Sequence, residues 1–412
     1  MPKASPPLIS SSGLAFDPLE RGFINDPMPA MESGLSEYPV VMHEGTLDPV
    51  YSLFRYADVQ RVLLDWEIFS SEPINWDLDA LNLGRATENF ILMDPPRHTR
   101  LRTLAQQGFS PAQIESFLPR AERIAQDRIS YALTQSSFDL VSKLSAQLTT
   151  GMITGILGLP LEDWPLIRDW TNVMQRNTMA SFWLKEWDEV RAQGVARVTS
   201  EMADYFHGHL KRLARQPQED NILSVLLTTE LDGERFTLEE VESTAMLLLL
   251  AGNETTTNLI TNFVRCMVHY PDQFELLKQR PDLIEAAIEE TLRLEPPLRM
   301  TIRSVTADVE FHGTAIPAGN SVALWILAAN RDPEAYDQPQ VFDARLERAR
   351  HLSFATGPHF CLGARLARME ARVFAQELLK HVKDIELLSD PIRSDNGVSN
   401  TIVSLDARFT GY

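Results

Sequence analysis

The sequence predicts a mainly α-helical protein with small β-sheets, and three observations predict it. Helical patterns fill most of the chain between residues 98 and 228. One further pattern, Thr237 to Tyr270, is 34 residues long. Strand-like alternation is confined to Val50–Phe54, Val309–Phe311, Ser321–Trp325 and Thr401–Leu405.

In chain order, residues 1–35 read as irregular, because Pro2, Pro6, Pro7, Pro18, Pro27 and Pro29 interrupt any helix. Val50–Phe54 reads as a strand and Ala57–Leu64 as a turn or two of helix. Ser70 to Arg85 reads as a long loop bracketed by the breakers Pro73 and Gly84. Helices are expected at roughly 98–108, 111–133, 139–157, 161–178, 185–214 and 219–228. Thr237-Leu-Glu-Glu240 is a capping box with Phe236 and Val241 placed as a staple, and Pro271 ends that helix. At ~1.5 Å per residue it is about 50 Å long, so it crosses the middle of the protein. Met246 to Leu250 is apolar on every face, as a buried helix requires.

The next stretch, AGNETTTN at 251–258, contradicts its neighbours. Gly and Thr are poor helix formers, and Glu254 and Thr255 are polar where burial is expected. Two readings stand: a surface bend, or a kink that opens a pocket and sets an acid beside an alcohol. A second unusual segment is HLSFATGPHFCLG, residues 351–363. Cys361 follows the Gly357-Pro358 turn and precedes a strong helical pattern. A helix N-terminus there favours thiolate. An inert buried cysteine, or a nucleophile served by His351 or His359, also fits. Zinc does not, because no second Cys or spaced His pair lies nearby.

The 412 residues carry 38 Lys+Arg against 57 Asp+Glu, a net charge of −19, and two cysteines, Cys266 and Cys361. Hydrophobic residues at 44% and charged residues at 23% are globular composition. Length alone suggests two or three domains. The acidic balance argues against nucleic acid as a partner. The longest apolar run, Ala245 to Gly252, is far short of the ~20 residues of a membrane span. The start MPKASPPLISSSG lacks a signal-peptide core. The expectation is a cytoplasmic protein with reduced thiols and no membrane anchor.

The segment Phe354-x-x-Gly357-x-His359-x-Cys361-x-Gly363 resembles the heme-binding loop of the cytochrome P-450 superfamily, in the style of its soluble bacterial members. Three further segments resemble that family's motifs in the expected order: Asp94-Pro-Pro-Arg-His98-Thr-Arg-Leu-Arg102, Ala251-Gly-Asn-Glu254-Thr255-Thr256 and Glu290-Thr-Leu-Arg293. Asn25-Asp-Pro27 and Ala329-Asn-Arg-Asp-Pro333 are weaker matches. Ala355 departs from the pattern, since these members usually carry Gly there.

The resemblance implies the cytochrome P-450 fold, as one catalytic domain over 1–412, its long central helix crossing the heme face. The β-rich part would come from segments near 40–65, 305–326 and 385–412. It implies heme b, iron protoporphyrin IX, with Cys361 as the thiolate ligand that donates density to iron. Phe354 would shield the sulfur, and Gly357 and Gly363 would admit the flat ring. His98, Arg102, Arg303 and His359 would hold the propionates. Glu290 and Arg293 would form a buried structural network. Glu254 and Thr255 would deliver protons during oxygen activation, with Gly252 widening the helix.

The implied activity is a monooxygenase that inserts one atom of O2 into an apolar organic substrate. Two electrons would come from a separate ferredoxin or flavodoxin-type donor and its reductase. Alternatives are peroxide-driven oxidation and a noncatalytic heme-binding or ligand-sensing protein. The implied substrate pocket comprises Trp76, Phe90, Ile91, Leu247, Leu250, Ala251, Leu298, Met300, Ile302 and Ile402. Trp183 and Trp187 fit a lid or the core equally well, and Arg85 or Arg299 is a weaker candidate for an acidic substrate group. Arg345, Arg348, Arg350, Arg365, Arg368 and Arg372, with Arg97 and Arg100, would form a basic face for an acidic donor.

Overall fold

The structure, a computed structural model, describes residues 14–44, 46, 49–73, 89–178 (backbone only at 175–178), 183, 189–218 and 221–412. Helices α1 (Arg21–Asn25) and α2 (Met28–Ser36) correct the expectation of irregular chain up to residue 35. Pro27 caps α2 and Pro29 lies in its first turn, where the missing N–H has no helical partner to lose.

Strands β1 (Val40–His43) and β2 (Val50–Leu53) pair antiparallel and lead to α3 (Tyr56–Leu64) and β3 (Phe69–Ser70). Most of the expected 70–85 loop lies outside the described residues. The helical series then runs α4 (Arg97–Ala105), α5 (Pro111–Ser116) and α6 (Leu118–Thr134). After β4 (Phe138–Asp139) comes a π-helical turn, Val141–Ser145, continued by α7 (Ala146–Leu157). Next are α8 (Trp164–Thr178), α9 (Glu189–Arg215) and α10 (Ile222–Thr228). A small hairpin, β5 (Glu230–Leu231) and β6 (Glu234–Arg235), precedes the central helix.

That helix is α11 (Leu238–His269), and its capping box is present. The Thr237 hydroxyl accepts from the Glu240 N–H at 3.2 Å, and the Glu240 carboxylate accepts from the Thr237 N–H at 2.8 Å. The helix runs unbroken through AGNETTTN, so the expected bend or kink is not an interruption. The polar side chains are satisfied locally. Thr255 Oγ1 donates to the Ala251 carbonyl at 2.6 Å and Thr257 Oγ1 to the Asn253 carbonyl at 2.9 Å. Asn253 Oδ1 accepts from Thr150 of α7 at 2.8 Å.

Helices α12 (Pro271–Gln279) and α13 (Ile284–Leu294) follow. Strands β7 (Thr301–Val305), β8 (Val309–Phe311), β9 (Thr314–Ile316) and β10 (Ser321–Leu324) come next, then α14 (Ile326–Ala329) and α15 (Ala364–His381). The chain ends with β11 (Val382–Leu387), β12 (Ile392–Arg393), β13 (Ile402–Ser404) and β14 (Asp406–Gly411).

The largest sheet has the order β1-β2-β10-β7-β3. Its middle pair, β2 and β10, is parallel, with Val50 opposite Ser321 and Leu53 opposite Leu324. Parallel pairing needs a crossover, and here the whole helical region between residues 53 and 321 supplies it. A second sheet, β11-β14-β4, closes the other end. The main core lies among α6, α7, α9, α11, α13 and α15. A separate aromatic core under the N-terminal strands holds Phe16, Phe23, Phe54, Trp183 and Trp325. No helix among the described residues is long and apolar enough to cross a membrane.

Candidate functional site

Cys361 is held by its backbone: its N–H donates to the Phe354 carbonyl at 2.8 Å. Gly357 has φ +69°, and a Cβ there would lie 2.6 Å from the Leu63 carbonyl oxygen. Glycine is therefore required for the loop to lie against the end of α3. At Gly363, by contrast, a Cβ would meet nothing within 4 Å, so the turn after the cysteine borders open space. Burial pushes the thiol up, and the N–H of Gly363, Arg102, Arg368 and the N–H of Ala364 oppose it without prevailing. A bound metal cation reverses that balance, because a coordinating thiol is deprotonated outright. Phe354 is buried, with the Arg368 guanidinium 4.4 Å above its ring centre.

To one side of the loop stand four donor side chains. The His98 and His359 rings are 4.2 Å apart. Both His98 ring nitrogens and His359 Nε2 are buried without a hydrogen-bond partner. Burial, then the positive neighbours, holds His98 down at about 4 and His359 at about 3. Arg303 is lowered to about 10 by burial, with Asp94 as its single opposing charge. Arg102 donates to the Phe360 carbonyl. Arg303 donates to the Ile302 carbonyl at 2.7 Å, so each arginine keeps one backbone acceptor, and the three imidazole nitrogens are the unpartnered atoms of the cluster. Such unpaired buried groups are costly unless an anion completes them. Among the described residues no group of three or more His, Cys, Asp or Glu is gathered to hold a metal. The donors on offer are one thiol and an anion-seeking cluster beside an open cradle. They fit an anionic cofactor that carries its own metal, with the cysteine as the one protein ligand on offer.

The central helix faces the same region. On α11, Leu247, Leu250, Ala251, Glu254 and Thr255 keep accessible surface while most neighbours are buried. Their spacing places them on one helix face. Leu247 and Leu362, the residue after the cysteine, pack against one cluster of Phe90, Met93, Leu101 and Ala105. This brings together the cysteine loop, the helix face and Phe90. Glu254 is pushed up to about 7 by burial, against the hydrogen bonds of Thr401 and Asn258.

Other expected residues fall in different places. Ile91 and Leu298 are exposed, and Ile302 is half-buried. Met300 and Ile402 are 0% and 1% exposed, inside core clusters. Neither offers surface to an open substrate space, which corrects their assignment to it. Trp76, Arg85 and Trp187 lie outside the described residues. Trp183 is core, ringed by His43 and Trp325. Arg299 is buried, donating to the Ile24 carbonyl and to Asn400 Oδ1 at 3.1 Å each. Cys266 is plain packing, its thiol pushed up to about 12 by burial.

Glu290 and Arg293 form a buried ion pair, with contacts of 2.7 and 2.8 Å. The remaining Arg293 donors reach the carbonyls of Asn330, Pro339 and Val341. Arg348 completes the network, its Nε 3.0 Å from Glu290 Oε1. Sequence reasoning counted Arg348 as a surface charge, and nothing in its local pattern distinguishes it. The basic face is reduced accordingly. Arg345 pairs with Asp343 and Arg368 with Glu289. Arg100 pairs with Glu240, and Arg350 lies over the Phe360 ring. Arg365 stays exposed. Sequence reasoning also missed Thr401 and Asn258, which hold Glu254; only the adjacency of Thr401 to Ile402 pointed there.

Comparison with known proteins bears on the family and the fold. A family model described as Cytochrome P450 matches residues 36–401. The Vitamin D(3) 25-hydroxylase of Pseudonocardia autotrophica is 36% identical over 358 residues, covering 85% of each chain. Cytochrome P450 109 of Bacillus spizizenii is 35% identical, covering 87% of this chain and 85% of that one. Among solved structures, CYP109E1 from Bacillus megaterium in complex with testosterone superposes with a TM-score of 0.85 at 30% identity. It covers 94% of this chain and 99% of that one.

Proposed function

The chain belongs to the cytochrome P450 family, and from that premise we propose that Cys361 is the thiolate ligand of heme b. The enzyme is a heme-thiolate monooxygenase, an oxidoreductase that incorporates oxygen. The observation that carries the cofactor assignment is the convergence of His98, His359, Arg102 and Arg303 beside the cysteine loop, with both His98 ring nitrogens and His359 Nε2 buried and unpartnered. They would hold the two propionates. When bound, heme supplies the redox-active iron at which O2 is activated.

The chain's own residues do the rest. Phe354 shields the sulfur, and the Glu290–Arg293–Arg348 network fixes the segment leading into the loop. Glu254, at about 7, both takes and gives a proton near neutral pH, which suits a proton relay. The Thr255 hydroxyl lies on the same helix face and can hold that proton's path. Phe90, Ile91, Leu247, Leu250, Ala251, Leu298 and Ile302 would receive the substrate, which their apolar character makes an apolar organic molecule. The names of the vitamin D(3) hydroxylase and the testosterone-bound structure support that class. Two electrons would come from a ferredoxin or flavodoxin-type donor with its reductase, met by the exposed Arg365 and its neighbours. A cytoplasmic location suits a free Cys361.

The test is spectroscopic. The reduced, carbon-monoxide-bound protein is expected to show the red-shifted Soret band of thiolate ligation, and Cys361→Ser is expected to lose it. An unchanged band in that variant removes Cys361 from the iron.

A further inference from the structure

Glu254 does not meet the site as a free carboxyl. Its Oε1 accepts the hydroxyl hydrogen of Thr401, across 147 positions of sequence. Thr401 Oγ1 accepts in turn from Asn258 Nδ2, one helical turn along α11, at 3.1 Å. It also lies 2.9 Å from Ser399 Oγ. Ser399 pairs as an isolated bridge with Leu298, one of the exposed apolar residues of the proposed substrate space.

A hydroxyl has one hydrogen and two acceptor sites. Asn258 occupies one acceptor site of Thr401. While Glu254 is a carboxylate, the Thr401 hydrogen goes to it. Once Glu254 carries a proton, its O–H donates to Thr401, and the Thr401 hydrogen turns to Ser399. The carboxyl therefore keeps a hydrogen bond at one position in both protonation states, and only hydroxyl rotation is needed.

We propose that Thr401 is the positioning residue of Glu254: it holds the carboxyl through both states and ties it to the segment Ser399–Thr401 beside Leu298. The inference rests on the reading of Glu254 as the proton-delivering acid. Its surroundings leave Thr401 this role. Helix α7 faces this part of α11 with the uncharged Thr149, Thr150 and Ile153. Helix α9 brings His207, but to Glu242 in the first half of α11. Arg102 and Arg368 act on Cys361, and Arg393 binds Asn400. Burial raises Glu254, and the hydrogen bonds of Thr401 and Asn258 are what oppose it.

The experiment uses the heme-loaded protein. The protonated-carboxyl band of Glu254 is followed by infrared difference spectroscopy against pH and assigned by its loss in Glu254→Gln. In parallel, hydrogen peroxide released per electron consumed is measured against pH, with a plant-type ferredoxin and its reductase as electron source. Thr401→Val is expected to move the band to higher frequency and its midpoint alkaline by about one unit, since of the two bonds it removes the one to the charged form is the stronger. Thr401→Ser should restore both, and Thr401→Ala serves if the valine variant does not fold. An unchanged band and midpoint in Thr401→Val overturns the proposal. If Glu254→Gln leaves the peroxide profile unaltered, the proton-delivery reading fails, while the band still decides the role of Thr401.

Discussion

Ala355 occupies left-handed backbone, with φ 55°, in the turn that leads to the cysteine. An L-residue there costs ~1–2 kcal/mol. Alanine recovers ~0.4–1 kcal/mol by restricting the unfolded chain. Ala355→Gly is therefore expected to stabilise the protein by about 0.5–1 kcal/mol, read from urea unfolding of the heme-loaded form. A loss of stability would mean that the methyl packing against the sheet-side core outweighs the backbone strain. The departure at 355 was visible in the sequence, but its consequence was not. Whether a methyl is tolerated depends on φ, and φ is set by the loop's contacts. The same limit applies to Thr401. A threonine next to a strand carries no local sign that its hydroxyl reaches a carboxylate on a distant helix.

At the scale of elements, what is local in origin was legible and what is long-range was not. The capping box of α11 and its stop at Pro271 follow from neighbours in sequence. Strand β7 went unread, because TIRSV becomes a strand through its pairing with β10 and β3. The first α2 turn was misread because prolines break a helix interior but suit its start. The Glu290–Arg293 pair was expected to be buried from resemblance alone, and Arg348 was the hidden third member. Its guanidinium also donates to the carbonyls of Asp337 and Val341, at 2.6 and 2.8 Å. It thus joins α13 to the chain preceding the cysteine loop. Arg348→Leu leaves part of a buried carboxylate's charge uncompensated. The expected cost is about 2–4 kcal/mol, since removing one partner of a buried pair costs ~3–5 kcal/mol and Arg293 here remains. The loss should appear both in urea unfolding and as faster heme release. Wild-type heme retention in a folded Arg348→Leu protein would argue that Arg293 alone orders the loop.

At the scale of the whole molecule, the formal net charge of −19 counts every carboxyl as ionised, the buried ones included. Glu370 lies on α15, 3% exposed within the main core, with its Oε2 lacking a partner among the described residues. Burial raises its carboxyl well above the usual value, so the folded chain holds this proton to higher pH than the unfolded chain does. The unfolded chain gives up this proton above about 4.5, whereas the folded chain keeps it. The folded state then binds more protons, and stability falls with rising pH. The contribution of this group is complete below about pH 4.5 and drains away as pH climbs toward its raised folded value. Glu370→Gln keeps the shape and removes the titration. The variant is expected to exceed the parent in stability at pH 8 by more than the ~0.5 kcal/mol typical of neutral substitutions. That difference should shrink toward pH 4. Acid loss of the low-lying Glu289 and Glu295, each held at about 2 by positive neighbours that overcome burial, is common to both proteins and cancels in the difference. A stability gap that stays constant with pH would mean that Glu370 ionises alike in the folded and unfolded chain.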